Sequence, residues 1–217
     1  RYDTEVLRAV AEAAAQEGVP EAVAHEWAER YAREIVPSFS TFAYFGFAIR
    51  LARWINGLFY DVRVGRLDPG LAKVERDAAV VFVMNHRSNM DYMLVTVLAA
   101  DRTALSYAVG EWARVWPLSK LIKALGAYFI RRKSRDALYR KVLARYVRMA
   151  TDAGVTQAVF PEGGLSLDGR VAPPKMGILK YIIEGHDLSL RDVVFVPVAL
   201  NYDRVMEDRV LIAAGQA

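Results

Sequence analysis

The 217-residue chain is 54% hydrophobic and 25% charged, with a net charge of +4 and a mean hydropathy of +0.12. That length holds one domain with a sizeable core, or a domain plus a helical extension, and the composition excludes a disordered chain. Cysteine is absent, which excludes disulfide scaffolds, thiolate metal sites and cysteine nucleophiles and fits a reducing compartment. The chain begins at Arg1 instead of Met, so a piece of a longer polypeptide is expected.

Residues 1–36 read as two helices. Val6, Leu7, Val10 and Ala14 share one face, and Val23, Trp27, Tyr31 and Ile35 recur at four-residue spacing on the next. Gly18-Val19-Pro20 separates them, because glycine ends a helix and proline starts one. Residues 38–60 crowd aromatic and aliphatic side chains together, with Arg50 and Arg53 interrupting. The uncharged stretch from Phe39 to Ile49 is shorter than the ~20 apolar residues a bilayer crossing needs. A helix here either lies in a lipid head-group layer, its arginines snorkelling, or packs into the core.

From residue 60 the pattern alternates strand and helix. Strands are expected at Tyr60–Gly65, Ala79–Met84, Ala104–Val109, Ala127–Ile130, Gln157–Phe160, Val193–Ala199 and Val210–Ala213. Helices are expected at about 90–100, 116–125, 136–152 and 175–185. The strand runs are mostly continuously apolar, as in strands covered on both faces. The expected fold is α/β, a largely parallel central sheet flanked by helices with an N-terminal helical extension. The expected division is 1–60, N-terminal helices including a membrane-contacting segment, and 61–217, the α/β domain. Pro197 inside a strand predicts a sheet edge or a bulge.

Charge is concentrated between Arg131 and Arg148, where eight basic residues stand against Asp136, a local +7. Such a cluster suits phosphate-bearing partners or is the solvated face of a helix. No nucleic-acid motif accompanies it, so a nucleic-acid partner is not expected. Spacing for a metal site is absent too, and His25 and His186 stand alone in sequence.

After the apolar run Val80–Met84 come Asn85-His86-Arg87-Ser88-Asn89-Met90-Asp91-Tyr92. Polar residues at the carboxyl end of a buried strand occupy the usual ligand position of an open α/β sheet. If a helix starts between them, Asp91 can fold back to the His86 imidazole, fix its tautomer and leave Nε2 as a general base. Ser88 and Asp91 also have the spacing of a helix capping box, which needs no chemistry.

His86-x4-Asp91 resembles the first block of the glycerolipid acyltransferase family. Gly126-Ala127-Tyr128-Phe129-Ile130-Arg131-Arg132, Phe160-Pro161-Glu162-Gly163-Gly164 and Val196-Pro197-Val198 resemble the second, third and fourth blocks, in the family's order. Asn85 to Tyr92, the Arg131-Arg132 pair and Asn201 to Glu207 resemble the bacterial membrane-bound glycerol-3-phosphate acyltransferases, to which the dihydroxyacetone-phosphate acyltransferases are related. The likeness covers about residues 31–210.

The resemblance implies an O-acyltransferase of phospholipid biosynthesis with His86 as base and Asp91 orienting it. The implied donor is acyl-CoA or acyl-carrier protein, the acceptor the 1-hydroxyl of glycerol-3-phosphate, the place the cytoplasmic face of a membrane. No cofactor is implied. Arg131 and Arg132 divide two tasks, one gripping the acceptor phosphate and the other making a salt bridge or meeting lipid, with Arg131 favoured for the phosphate. Glu162, Gly163 and Gly164 are implied to meet acceptor hydroxyls, phosphate or the oxyanion. Leu165 stands where the third block usually has arginine and cannot hold a phosphate, so Arg170 and Lys175 are expected to supply that charge. The same departure keeps lysophosphatidate, dihydroxyacetone phosphate or another lyso-lipid open as acceptor. A membrane-binding module without activity is the alternative of another class.

Overall fold

The computed structural model describes residues 3–38, 45–47, 49–65, 68–75, 77–99, 105–109, 126–131, 134–184, 186–187 and 189–215. The chain opens with α1 (Thr4–Glu17) and α2 (Glu21–Ile35). Asp3 caps α1 by accepting from the Glu5 and Val6 N–H groups, and Gly18, at φ 66°, ends it in the left-handed conformation that glycine adopts without strain. Buried on these helices are Ala9, Val10 and Ala14, and Ala24, Ala28, Tyr31 and Ile35. Val10, Ala14, Tyr31 and Ile35 lie on the expected stripe, and Val6 and Trp27 pack against the same core. The alanines face inward and let the helices approach closely, while Leu7 and Val23 are exposed.

Helix α3 (Ile49–Phe59) follows, then β1 (Ala79–Met84), α4 (Asp91–Ala99), β2 (Leu105–Val109) and β3 (Ala127–Phe129). Next come α5 (Ala137–Asp152), β4 (Thr156–Val159), α6 (Gly177–Ile183), β5 (Val193–Val198) and α7 (Asp208–Gly215). The five strands form one sheet in the order β3-β2-β4-β1-β5, and every neighbouring pair is parallel. Alternate residues of β1 serve opposite faces. Val81 and Val83 pack with α1, α2, α5 and α6, whereas Val80, Phe82 and Met84 pack with Ile49 of α3 and Tyr92 and Val95 of α4. Both faces are covered, which is why β1 is apolar throughout. Ile35, Val147 and Ile182 are fully buried in the first cluster, each worth roughly 1.5–3 kcal/mol of hydrophobic burial.

Two expected strands are corrected. Residues 60–65 are extended chain outside the sheet, because Asp61, Val62, Arg63 and Val64 face solvent and Arg63 pairs locally with Asp61. Val210–Ala213 belongs to α7, where Leu211 is buried and Ile212 exposed. So short an apolar run does not separate a strand from one helical turn. The expected helix at 116–125 and residues Phe39 to Tyr44 lie outside the described residues. Pro197 pairs in register with Val83 on β5, the sheet edge, as the missing N–H requires.

The basic cluster is partly consumed as structure. Arg145 pairs with Asp3 at 2.7 Å and Arg148 with Glu5 at 3.6 Å, stapling α5 to α1. His25 sits 3.9 Å from Glu29 on α2, and His186 Nε2 meets the Arg191 carbonyl at 2.8 Å in a loop. Among the described residues no helix is long and apolar enough to cross a membrane.

Candidate active site

Because β1 lies between β4 and β5, the loops leaving these three strands meet at one edge of the sheet. Asn85, the first residue after β1, locks two of them together: its Nδ2 donates to the Leu200 carbonyl at 2.8 Å and its Oδ1 accepts from the Leu200 N–H at 2.7 Å. His86 follows and is held by its backbone from the β4 side. Its N–H donates to Glu162 Oε1 at 2.9 Å, and its carbonyl accepts from the Ser166 N–H at 2.9 Å. The imidazole lies against Phe160 at 4.3 Å between ring centres and meets Tyr92 edge-on at 5.4 Å.

His86 Nδ1 is 2.9 Å from Asp91 Oδ2, with His86 3% and Asp91 0% exposed. The same Oδ2 accepts from the Arg87 N–H at 2.7 Å and the Ser88 N–H at 3.1 Å, while Oδ1 accepts from the Tyr202 hydroxyl at 2.6 Å. One carboxylate therefore ties down the start of α4 and orients the ring. A carboxylate only accepts, so the geometry puts the ring proton on Nδ1 and leaves the Nε2 lone pair available. The Tyr92 hydroxyl is 3.5 Å from Nε2. Ser88 is not aimed at the ring: its Oγ donates to Glu207 Oε2 at 2.9 Å and accepts from the Met90 N–H at 3.1 Å. The arrangement has the geometry of a base–acid dyad: a carboxylate on one ring nitrogen, with the other ring nitrogen turned away from it.

Glu162 is buried, and both of its oxygens meet backbone, Oε1 the His86 N–H and Oε2 the Ala172 N–H at 2.8 Å. Gly163, at φ 69°, closes a turn through its N–H to the Phe160 carbonyl at 3.0 Å. A Cβ on Gly163 would sit 3.1 Å from Lys175 Cδ and 3.4 Å from its Nζ, so the missing side chain lets the lysine lie against the turn. Gly164 continues that turn toward Ser166. Arg170 points away, with its side chain 88% exposed and 3.8 Å from Asp168.

Arg131 departs from the phosphate contact expected of it. Its Nε and Nη2 bond both oxygens of Glu34 on α2, at 3.0 and 2.7 Å, and its guanidinium lies 5.1 Å from the rings of Tyr31 and Tyr139. The Glu34 pair holds the Arg131 guanidinium even more firmly protonated than usual. Arg131 takes the salt-bridge task, and β3 lies three strand spacings from β1, about 14 Å across the sheet. Arg132 lies outside the described residues.

Residues 68–201 match the family model described as Acyltransferase. The chain belongs to the acyltransferase family. Similar curated relatives include the glycerol-3-phosphate acyltransferases of Pseudoalteromonas atlantica (31% identity over 70% of this chain and 19% of the relative), Alteromonas mediterranea (30%, over 93% and 25%) and Pseudomonas fluorescens strain SBW25 (31%, over 94% and 25%). The chain thus spans about a quarter or less of the length of these relatives. Among solved structures, the 1-acyl-sn-glycerophosphate acyltransferase PlsC of Thermotoga maritima aligns with a TM-score of 0.46 and 22% identity, over 80% of this chain and 74% of that one.

Within this site, four residues carry more of the geometry than their sequence context indicates: Asn85, Phe160, Tyr202 and Glu207. Asn85 precedes the first block and Phe160 opens the third, the two blocks that meet at His86. Tyr202 and Glu207 lie just past the matched residues, and their only sequence signal is the likeness of Asn201 to Glu207 to one branch of the family.

Replacing Glu162 by Gln leaves one acceptor oxygen and sets an amide donor against a backbone N–H. The expected cost is about 1–3 kcal/mol, as for a buried donor left without an acceptor. Chemical denaturation reads that loss, and faster amide hydrogen exchange at His86 or Ala172 locates it. Unchanged stability and exchange would contradict the clamp.

Proposed function

We propose that this chain carries the transfer of a fatty acyl group from an acyl thioester, acyl-CoA or acyl-carrier protein, to the 1-hydroxyl of glycerol-3-phosphate, giving lysophosphatidate. The observation that carries the reading is the buried His86–Asp91 dyad with Nδ1 on the carboxylate, Ser88 being bonded to Glu207 instead of to the ring. The acceptor hydroxyl gives its proton to His86 Nε2 as its oxygen attacks the thioester carbonyl. Asp91 stabilises the imidazolium that forms. The tetrahedral intermediate collapses, the carbon–sulfur bond breaks, and the imidazolium returns the proton to the departing thiolate. The thioester supplies the driving force, and no acyl-enzyme is required.

For the acceptor we assign Lys175, which lies against the Gly163 turn, as a cation for the phosphate. Arg132 is the second, with Arg170 contributing at longer range. The Gly164 N–H is assigned to the oxyanion, since that of Gly163 is spent in its own turn. Leu165, in place of the arginine usual in the third block, favours a second reading with the same chemistry on lysophosphatidate or dihydroxyacetone phosphate.

The experiment is a transfer assay crossing acyl-CoA and acyl-carrier protein with glycerol-3-phosphate, dihydroxyacetone phosphate and lysophosphatidate. Glycerol-3-phosphate is expected to turn over fastest, and His86→Ala to lose at least about 1,000-fold in rate, as when a catalytic base is removed. Preference for another acceptor selects the second reading. Undiminished transfer by His86→Ala overturns the dyad, and transfer to none of the acceptors favours a binding module.

We further place the chain at a membrane surface through α3. Ile49, Ala52 and Asn56 are its buried face, while Trp54 and Leu58, one turn apart, are 65% and 61% exposed beside exposed Arg50 and Arg53. Phe45, Phe47 and Phe59 add exposed aromatic surface nearby. Aromatics in the acyl boundary with arginines at the head groups are the pattern of an interfacial helix. The double variant Trp54→Asp, Leu58→Asp is expected to lose flotation with anionic liposomes while keeping its thermal midpoint. Undiminished flotation would exclude α3 as the contact.

A further inference from the structure

Asp91 is buried and accepts four hydrogen bonds, three of them on Oδ2. Two of those three come from the backbone of its own turn, and the third is the His86 ring. The bond on Oδ1 is different in kind: it comes from Tyr202, 111 residues away and just beyond the edge strand β5. Its 2.6 Å length is that of an O–H donor on an ionised acceptor.

Tyr202 is itself held in place. Two residues earlier, Leu200 is locked to Asn85 by the reciprocal pair of hydrogen bonds, and the Tyr60 ring meets the Tyr202 ring edge-on at 5.2 Å. Five residues later, Glu207 binds the same turn from outside. Its Oε2 accepts from Ser88 Oγ at 2.9 Å and its Oε1 from the Asn89 N–H at 2.8 Å. The segment from Leu200 to Glu207 therefore straps across the turn that joins His86 to Asp91, touching it at Asn85, Ser88, Asn89 and Asp91.

We propose that Tyr202 is a positioning residue for acyl transfer, its hydroxyl fixing the plane of the Asp91 carboxylate so that Oδ2 stays on His86 Nδ1, with Glu207 pinning the intervening turn. The inference rests on the reading of His86 as base. A carboxylate bonded on one oxygen alone can rock about its Cβ–Cγ bond, and a donor on the second oxygen removes that freedom. Tyr202 also withdraws charge from Asp91 and so limits how strongly the carboxylate favours the imidazolium. Burial, followed by the hydrogen bond and charge of Asp91, pushes the Tyr202 phenol well up from its ordinary value, so it remains a donor across the working pH range. Among the described residues, the other titratable groups around the dyad include Glu162 at the His86 N–H, Tyr92 near Nε2, Glu207 on Ser88 and Asn89, and Tyr60 against Tyr202. Removing the Tyr202 hydroxyl leaves all of them in place.

The test compares wild type, Tyr202→Phe and His86→Ala in the transfer assay as a function of pH. Tyr202→Phe is expected to lower kcat roughly 10- to 100-fold, the scale seen when an outer partner of a functional side chain is lost. KM for donor and acceptor should stay within about twofold. The acidic limb of its rate profile should move to higher pH, because an unscreened carboxylate holds the imidazolium longer. A merely structural tyrosine would lower the amount of active protein and leave that limb where it was. Should Tyr202→Phe fail to fold, Tyr202→3-fluorotyrosine keeps the ring and strengthens the donor, and the limb should then move to lower pH. A superimposable profile for either folded variant, beside an inactive His86→Ala, overturns the positioning role alone. An active His86→Ala overturns the base reading and this inference with it.

Discussion

The site depends on one buried carboxylate. Placing Asp91 out of water is costly unless its charge is met by donors, and four are supplied: the His86 ring, two backbone N–H groups of its own turn and the Tyr202 hydroxyl. The cap that starts α4 and the group that orients the imidazole are therefore one side chain. The two readings of His86-x4-Asp91 are not alternatives, because the fold that satisfies the cap is the fold that aims the ring.

Sheet order turns that local turn into a site. With β1 flanked by β4 and β5, a loop from each neighbour reaches the dyad from its own side. Glu162 and Ser166 grip the His86 backbone from the β4 side, and Leu200, Tyr202 and Glu207 grip the turn from the β5 side. The imidazole is immobilised by its backbone, by the Phe160 ring and by the carboxylate. In the proposed transfer, such preorganisation would leave little to rearrange when the ring takes up a proton. Helices on both faces keep β1 dry, and α3, whose inner face completes the second core cluster, carries the exposed Trp54 and Leu58 on its outer side.

What could be read from the sequence was what is local. The continuous apolar run of β1, the glycine stop after α1 and the placement of Pro197 at an edge follow from spacing within a few residues, while His86-x4-Asp91 gained its weight from the family resemblance. Tyr60–Gly65 and Val210–Ala213 differ from expectation because short apolar runs carry no period long enough to separate strand from coil or helix. The long-range partners carry no local signal at all. Arg131 looks like a free cation beside Arg132 until Glu34, 97 residues earlier, is brought to it. Glu162 gives no sign in sequence that both of its oxygens meet backbone N–H groups. Tyr202 is marked only by the likeness of Asn201 to Glu207 to one branch of the family, and nothing there points to its partner 111 residues away.

The central claim is that the Asp91 charge, and not only its hydrogen bonds, makes His86 a base. The most direct measurement is the turnover of Asp91→Asn with an acyl thioester and glycerol-3-phosphate. Asparagine keeps the volume and one oxygen for the N–H groups of the turn, and its amide can still meet Tyr202, so the fold should survive while the charge is lost. The account predicts a fall in kcat of about three orders of magnitude or more, on the scale of the same change in a Ser-His-Asp triad, with KM for both substrates little altered. Turnover within about tenfold of the parent chain would show Asp91 to be a helix cap alone and would contradict the account.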